Sequence, residues 1–385
     1  MDSVVVLYQD NMTQYPMTDI VIPIWNQPQA TKDCIRHLTM NTDCPYRLIL
    51  IDNGSDDATS HFLEGLRSGG RAGIVVIRNE RNLGFIKAVN QGLRLSDAPY
   101  VCVLNNDTKP SAGWLREMVE FSENHPDIGL VNPVCDEYAA LSAEERAKRM
   151  RENRGNFIEL NQCFLFATLI KRSVIAKIGY LDESFGMGCF EDADYAIRAA
   201  MAGYRCAMLY SAYVEHTHGV SFKALGNRDA IVARNEQEFL KKWPRHLRIG
   251  VSITLGPGAS DNDKASGLLR QALFLAREWC WVNILVSGRR KVSSVHQNIR
   301  FGYCLPFLKN VCILMKLLER SFGTKKRKRY DLFLVDDKST LDFLKMFYGI
   351  HRTKIILIDF NADPLQPVRK LLQELRGFLI YRPTR

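Results

Sequence analysis

Five short polar clusters hold most of the side chains in this sequence that could do chemistry. They are Asp52-Asn53-Gly54-Ser55, Asn79-Glu80-Arg81-Asn82-Leu83-Gly84-Phe85, Asn105-Asn106-Asp107, Glu191-Asp192-Ala193-Asp194, and His216-Thr217-His218-Gly219 with Ser221. An ionised carboxylate only accepts hydrogen bonds. It can also take a proton from a hydroxyl or supply oxygen to a divalent cation. Three acids in four residues raise one another's pKa, which suits a base working near neutral pH. Each cluster has a plainer reading as well. Asn, Asp, Gly and Ser are the usual turn formers and helix caps. Acids at a helix start are stabilised by its dipole, and a lone histidine is more often structural.

The elements that would carry these clusters are legible from the apolar pattern. Four runs recur at intervals of about 25 residues: Asp19–Trp25, Tyr46–Asp52, Gly73–Asn79 and Tyr100–Leu104. Each is short, rich in β-branched residues and bounded by turn formers, so each reads as a buried strand. Between them, Ala30, Cys34, Ile35 and Leu38 recur at helical spacing, as do Phe85, Ala88, Val89 and Leu93. Strand alternating with helix predicts a parallel sheet covered on both faces. Ligands bind such sheets at the carboxyl ends of the strands. Three of the polar clusters fall at successive strand ends, which makes turn formation alone a less comfortable account of them. Farther on, Ser173–Asp182 leads through Phe185–Phe190 into the acid cluster, which opens an apolar-periodic helix with Tyr195, Ile197, Ala200 and Met201.

A chain of 385 residues with 46% hydrophobic side chains is long enough for two domains with real cores. Its charge is divided unevenly. Residues 1–250 carry 28 Lys and Arg against 31 Asp and Glu, a net −3, whereas residues 251–385 carry 24 against 11, a net +13. The basic third reads as a solvated face, or as one that meets an anionic membrane surface or glycan. Aromatics do not interleave with the charges, so nucleic acid is not expected as a partner. No apolar stretch reaches membrane-spanning length, and the first residues lack the basic start of a signal peptide. The ten cysteines are scattered without a CxxC pair, so neither a zinc site nor a disulfide framework is expected. Free thiols suit a reducing compartment. The expected location is therefore cytoplasmic, with peripheral contact at a membrane surface as an extension. The expected division is an N-terminal extension (1–17), a first domain (18–250), a linker (251–266) around Gly256-Pro257-Gly258, and a small basic α/β domain (267–385). In the last, a helix over Gly267–Trp279 and strands at Val282–Val286, Asp331–Val335 and Lys354–Asp359 suggest a small or incomplete Rossmann-like unit. The basic run Lys325–Arg329 reads as an exposed loop.

Taken together, residues 18–245 resemble family 2 glycosyltransferases of the GT-A fold. The likeness rests on IVIPIWN, IDNGSDD, RNERNLGFIKAVNQGL, LNNDTKPSAGWL, GYLDESFGMGCFEDADYAIRAAMAGYR and VEHTHGVS, in the family's order. It looks most like the rhamnosyltransferase-like and galactofuranosyltransferase-like branch. The implied fold is a Rossmann-like, mostly parallel nucleotide-diphospho-sugar transferase sheet. The implied reaction is an inverting, metal-dependent transfer of a sugar from a UDP-, dTDP- or GDP-linked donor to a hydroxyl of a glycan or glycoconjugate. By the same resemblance Asp107 is the final acid of the DxD motif and a ligand of Mn²⁺ or Mg²⁺, with His216 as second ligand and His218 as runner-up. Asn105 stands where that motif usually begins with Asp, which weakens the protein's own hold on a cation. Asp52 would read the nucleobase, with Pro23, Trp25 and Asn26 lining that pocket, and Asn53 and Asn106 would also bind the nucleotide sugar. Asn82, Gly84 and Phe85 would lie near the diphosphate and ribose. Asp192 matches the family's base, with Glu191 and Asp194 orienting the acceptor or the base, and Asp194 as the alternative base. The C-terminal part is loosely similar to the first half of a GT-B glycosyltransferase, without the nucleotide-binding second half.

Three other readings stay open at this stage. One is a catalytically weak nucleotide-sugar-binding protein, suggested by Asn105 and opposed by Asp192. Another is a nucleotidyltransferase, opposed by the lack of a Gly-rich, Lys- or Arg-bearing phosphate loop near the N-terminus. The third is an anionic-polymer binder acting through the basic third.

Overall fold

A computed structural model of the chain describes residues 14–68, 73–217, 228–243, 245–256, 260–288, 292–322, 329–359, 365–376 and 380. His218, Ser221, the Pro257-Gly258 turn and the basic run up to Lys328 lie outside the described residues, as do residues 1–13 of the expected N-terminal extension.

The chain divides into two compact units. One comprises residues up to Phe157 together with Gln162–Lys242, and the other Trp243 onward with Ile158–Asn161. In the first, the four apolar runs form β1 (Thr18–Ile24), β2 (Tyr46–Asp52), β3 (Ile74–Arg78) and β4 (Tyr100–Leu104). β1 lies between β2 and β4, β3 lies beyond β2, and all four are parallel. The register sets Ile24 beside Asp52 and Asp52 beside Arg78, so the polar strand ends come out along one edge. Four of the remaining strands are β5 (Thr108–Pro110), β6 (Ile128–Val134), β8 (Ala167–Lys171) and β9 (Arg205–His216), with β7 (Phe157–Leu160) at the division between the units. The sheet runs β3-β2-β1-β4-β8-β6-β9-β5. β8 is antiparallel to both neighbours, which makes the sheet mixed though mostly parallel.

Helices on both faces bury the central strands β1 and β4 on both sides, while β3 at the edge is only half-buried. α1 (Pro28–Asn41) and α4 (Trp114–Asn124) bury Cys34, Ile35, Leu38, Trp114, Leu115 and Met118 against Ile20, Ile22, Ile24, Leu48 and Leu50. α3 (Phe85–Leu95) buries Ile86, Ala88, Val89 and Leu93. It lies so near β1 that a Cβ on Gly92 would meet Val21 Cγ1 at 2.2 Å. α2 (Asp57–Ser68), α5 (Ala143–Glu152), α6 (Arg172–Ile178) and α7 (Glu191–Met201) complete the labelled set.

The second unit begins earlier than its sequence suggests. β10 (Leu247–Thr254) falls partly within the span expected to close the first domain, yet it is the central strand of the second sheet. The expected linker 251–266 therefore carries the end of β10 and, from Ser260, the start of the helix Ser260–Arg277. With β11 (Cys280–Ser287), β12 (Ile299–Cys304), β13 (Leu332–Val335) and β14 (Lys354–Leu357), the order is β12-β11-β10-β13-β14, all parallel. That is a complete doubly wound sheet whose connections diverge between β10 and β13, where such folds usually receive ligands. Here the position holds an ion cluster. Lys309 Nζ donates to Thr254 Oγ1 (2.9 Å), Asp336 Oδ1 (2.7 Å) and Asp337 Oδ2 (2.6 Å), and Lys264 Nζ reaches Asp336 Oδ2 at 2.7 Å. No described helix is long and apolar enough to cross a membrane.

Candidate active site

The strand ends of the first unit open on a cavity of about 790 Å³. Of the residues singled out in the sequence, Pro23, Trp25, Asn53, Asn82, Phe85, Asn106, Asp107, Glu191, Asp192 and His216 line it. Asn26, Asp52, Gly84 and Asp194 do not.

The loops after β1 and β2 are tied to each other. Asn26, at φ 56°, donates its N–H to Ser55 Oγ (3.0 Å) and accepts from Asp56 N–H through Oδ1 (2.8 Å). Asp52 is buried. Its Oδ1 accepts from Ser55 N–H at 2.9 Å and its Oδ2 from Arg78 at 2.5 Å. Gly54 makes this turn at φ 71°, where a Cβ would lie 2.4 Å from the backbone of Arg81. Asn53 then pins the following loop. Its amide donates to Asn82 Oδ1 (2.9 Å), and its Oδ1 accepts from Leu83 N–H and Asn79 Nδ2, both at 3.0 Å. These bonds fix Asn82 and Phe85 at the cavity wall, and Gly84 caps α3 behind them.

Asp107 and His216 meet because β5 turns back from β4 and pairs antiparallel with the end of β9, setting Thr108 opposite His216. His216 Nε2 lies 3.2 Å from Asp107 Oδ1 and 3.5 Å from Asn105 Nδ2, its ring stacked on Phe166 at a 4.9 Å centroid distance and 7°. Asn105 Oδ1 is buried with no partner in the described structure. A carboxylate, an imidazole and an unused amide oxygen suit an oxygen-preferring divalent cation. Among the described residues no group of three or more His, Cys, Asp or Glu could hold a metal. A cation at this pair would therefore draw its other ligands from a bound diphosphate or from water.

The acid pair opens α7 on a distorted turn. Cys189 and Phe190 hold φ 77° and 74°, which non-glycine residues rarely adopt. A buried amide holds them there. Asn235, in the helix Arg228–Lys242, donates to Phe185 O (2.7 Å), Gly188 O (2.7 Å) and Cys189 O (3.3 Å). Burial is the main force that pushes Glu191 up to about 8, and the neighbouring Asp192 charge adds to it. Burial likewise pushes Asp192 up to about 6, against the pull of its Ala193 N–H bond. Burial resists charge on both, so the pair keeps a proton above the usual carboxylate range. Asp194 belongs elsewhere. It is fully buried between Arg198 Nε (2.9 Å) and Lys242 Nζ (2.6 Å), away from the cavity, where it cannot orient an acceptor.

Two predictions arise from this geometry. Asn235→Ala is expected to lower kcat about 100-fold with donor affinity unchanged, and to destabilise the fold by about 3 kcal/mol in urea titrations, because the Gly188 and Cys189 carbonyls lose its amide while Phe185 O keeps Arg234. Glu191 holds its proton more tightly when folded than when unfolded. Stability should thus decline as pH rises from about 4.5 to about 8. Glu191→Gln should remove the Glu191 part of that decline, leaving the smaller one from Asp192 below about pH 6, and should raise the melting midpoint at about pH 8.5 while leaving it unchanged at about pH 4.

Phe166 and Asn235 were invisible in the sequence reading. Their partners lie about 50 residues away in the chain, as with Asn235 and Phe185. Nothing in local composition marks such contacts.

The mostly parallel α/β sheet, with its polar strand ends and the acid pair lining one cavity, is the arrangement that the sequence resemblance implies. Residues 19–179 match Glycosyl transferase family 2. It is 26% identical over 259 residues to an uncharacterized protein of Sinorhizobium fredii, covering 60% of this chain and 28% of that one. It is 21% identical over 235 residues to an uncharacterized glycosyltransferase of Methanocaldococcus jannaschii, covering 59% and 77%. Among solved structures, a mannosyltransferase from Pyrobaculum calidifontis in complex with GDP-Man and Mn²⁺ aligns with a TM-score of 0.44 at 16% identity, covering 58% and 65%. The chain spans less than a third of the length of the Sinorhizobium relative.

Proposed function

We propose that the chain moves a sugar from a nucleoside-diphosphate donor to a hydroxyl of a glycan or glycoconjugate, with inversion at the anomeric carbon. The observation that carries this reading is that Asp107, His216, Glu191 and Asp192 line one and the same cavity. Asp192 takes the proton of the acceptor hydroxyl. The acceptor oxygen forms its bond to the anomeric carbon in line with the departing diphosphate, whose oxygen keeps the bonding electron pair. Glu191 stays protonated beside it and keeps the charge on Asp192. Trp25, Asn82 and Phe85 shape the donor end. Asp52, buried and held by Arg78 and Ser55, does not reach the cavity as the sequence reading expected; its neighbour Asn53 does. Asp107 and His216 would hold Mn²⁺ or Mg²⁺, and such an ion, when bound, neutralises charge on the leaving diphosphate.

The test is release of nucleoside diphosphate from a panel of UDP-, dTDP- and GDP-sugars with Mn²⁺. Release from one donor, lost on adding EDTA, is the expected result. Nucleotide binding by calorimetry without turnover would favour a weak binding protein instead, a reading to which the two-residue cation pair lends some support.

A further inference from the structure

The second unit carries a surface of a different character, which does not depend on the transferase reading. Within eleven residues, Leu305 (54% exposed), Phe307 (78%), Leu308, Val311 (50%) and Met315 (64%) all face solvent. A short turn, Pro306–Leu308, delivers the chain into the helix Lys309–Phe322. Helical spacing divides that helix. Lys309, Ile313 and Leu317 are buried, whereas Leu308, Val311 and Met315 form a stripe on the opposite side. The one charged side chain in the first turn is turned inward, its ammonium held by Thr254, Asp336 and Asp337. The helix packs beside the helix Tyr348–His351, where Met346, Tyr348 and Ile350 are exposed as well. Single exposed apolar residues are ordinary, but a run of five on one ridge is not.

Charge decides what covers the ridge. Residues 251–385 carry 24 basic and 11 acidic side chains, a net +13. A second copy would bring the same excess against it and be repelled. An anionic bilayer offers the opposite charge, and its headgroup boundary accepts apolar side chains. We infer that the ridge Leu305–Met315 inserts into the surface of an anionic membrane, with the basic excess of the second unit holding it there.

The test is co-sedimentation of the full chain with vesicles of phosphatidylcholine alone or with about 30% phosphatidylglycerol. Binding is expected to the anionic vesicles only and to weaken with added salt. A Phe307→Glu, Met315→Glu double variant is expected to lose at least about tenfold in partitioning, with its melting temperature and solution donor hydrolysis unchanged. The inference is overturned if anionic vesicles do not bind the protein. It is also overturned if the double variant binds them as well as the parent, or if it abolishes a dimer seen by sedimentation. Absence of donor hydrolysis in the parent would strike at the transferase reading and leave this result standing.

Discussion

Replacing Asp192 with Asn should lower kcat for sugar transfer by about 1,000-fold, within the usual range for losing a positioned base, while donor affinity stays within about twofold. The unequal environment of the two acids is the reason. Glu191 is the more deeply buried and the more strongly raised of the coupled pair, so it is the poorer proton acceptor near neutral pH. Asp192 ionises from about 6 upward and faces the cavity. The two assignments predict different pH profiles. With Asp192 as the base, kcat/KM rises with pH through an acid limb near 6. With Glu191 as the base, the limb would lie near 8. Glu191→Gln adds a second check, since it should retain at least about a tenth of the activity with the limb still near Asp192's value. A limb near 8 that vanishes in Glu191→Gln would transfer the role to Glu191.

Much of the first unit was legible because β1, β2 and β4 are largely buried and even the half-buried β3 is apolar. They therefore stand out as continuous apolar runs bounded by polar turns. The ends of those runs gave Asp52, Asn53 and Asp107 their place on one edge. What the sequence hid was set by pairing across long separations. Asn105 and His216 are 111 residues apart and meet through the short β5–β9 ladder, which no local pattern announces; only the family resemblance set that cluster beside His216 in the sequence reading. Asp194 was grouped with Glu191 and Asp192 because all three open one helix. The signal that separates it was present: Arg198 lies four residues on, the spacing of a helical ion pair. The boundary at β10 was misplaced for a related reason. A buried central strand followed by a Gly-Pro-Gly turn looks the same whether it closes one sheet or begins the next.

Asp107→Ala should reduce metal-dependent release of nucleoside diphosphate by about 1,000-fold, comparable to losing a principal transition-state charge stabiliser. Of the two cavity residues placed to hold a cation, it is the only carboxylate. His216→Ala should cost less, about 10- to 100-fold, because a water can replace a neutral imidazole more easily than a charge. The more searching variant runs the other way. Asn105 contributes an amide whose buried oxygen has no partner, next to a ring nitrogen 3.5 Å from its Nδ2. Asn105→Asp replaces that amide with a second carboxylate of nearly the same shape. Mn²⁺ affinity, measured by calorimetry in the presence of the nucleoside diphosphate, should then rise about tenfold. The same variant without metal should melt at lower temperature, since two carboxylates would face each other with only His216 between them. Tighter Mn²⁺ binding with lower apo stability would place the cation at Asn105, Asp107 and His216. Unchanged affinity would mean that Asn105 does not face the cation, leaving Asp107 and His216 to hold it with the diphosphate.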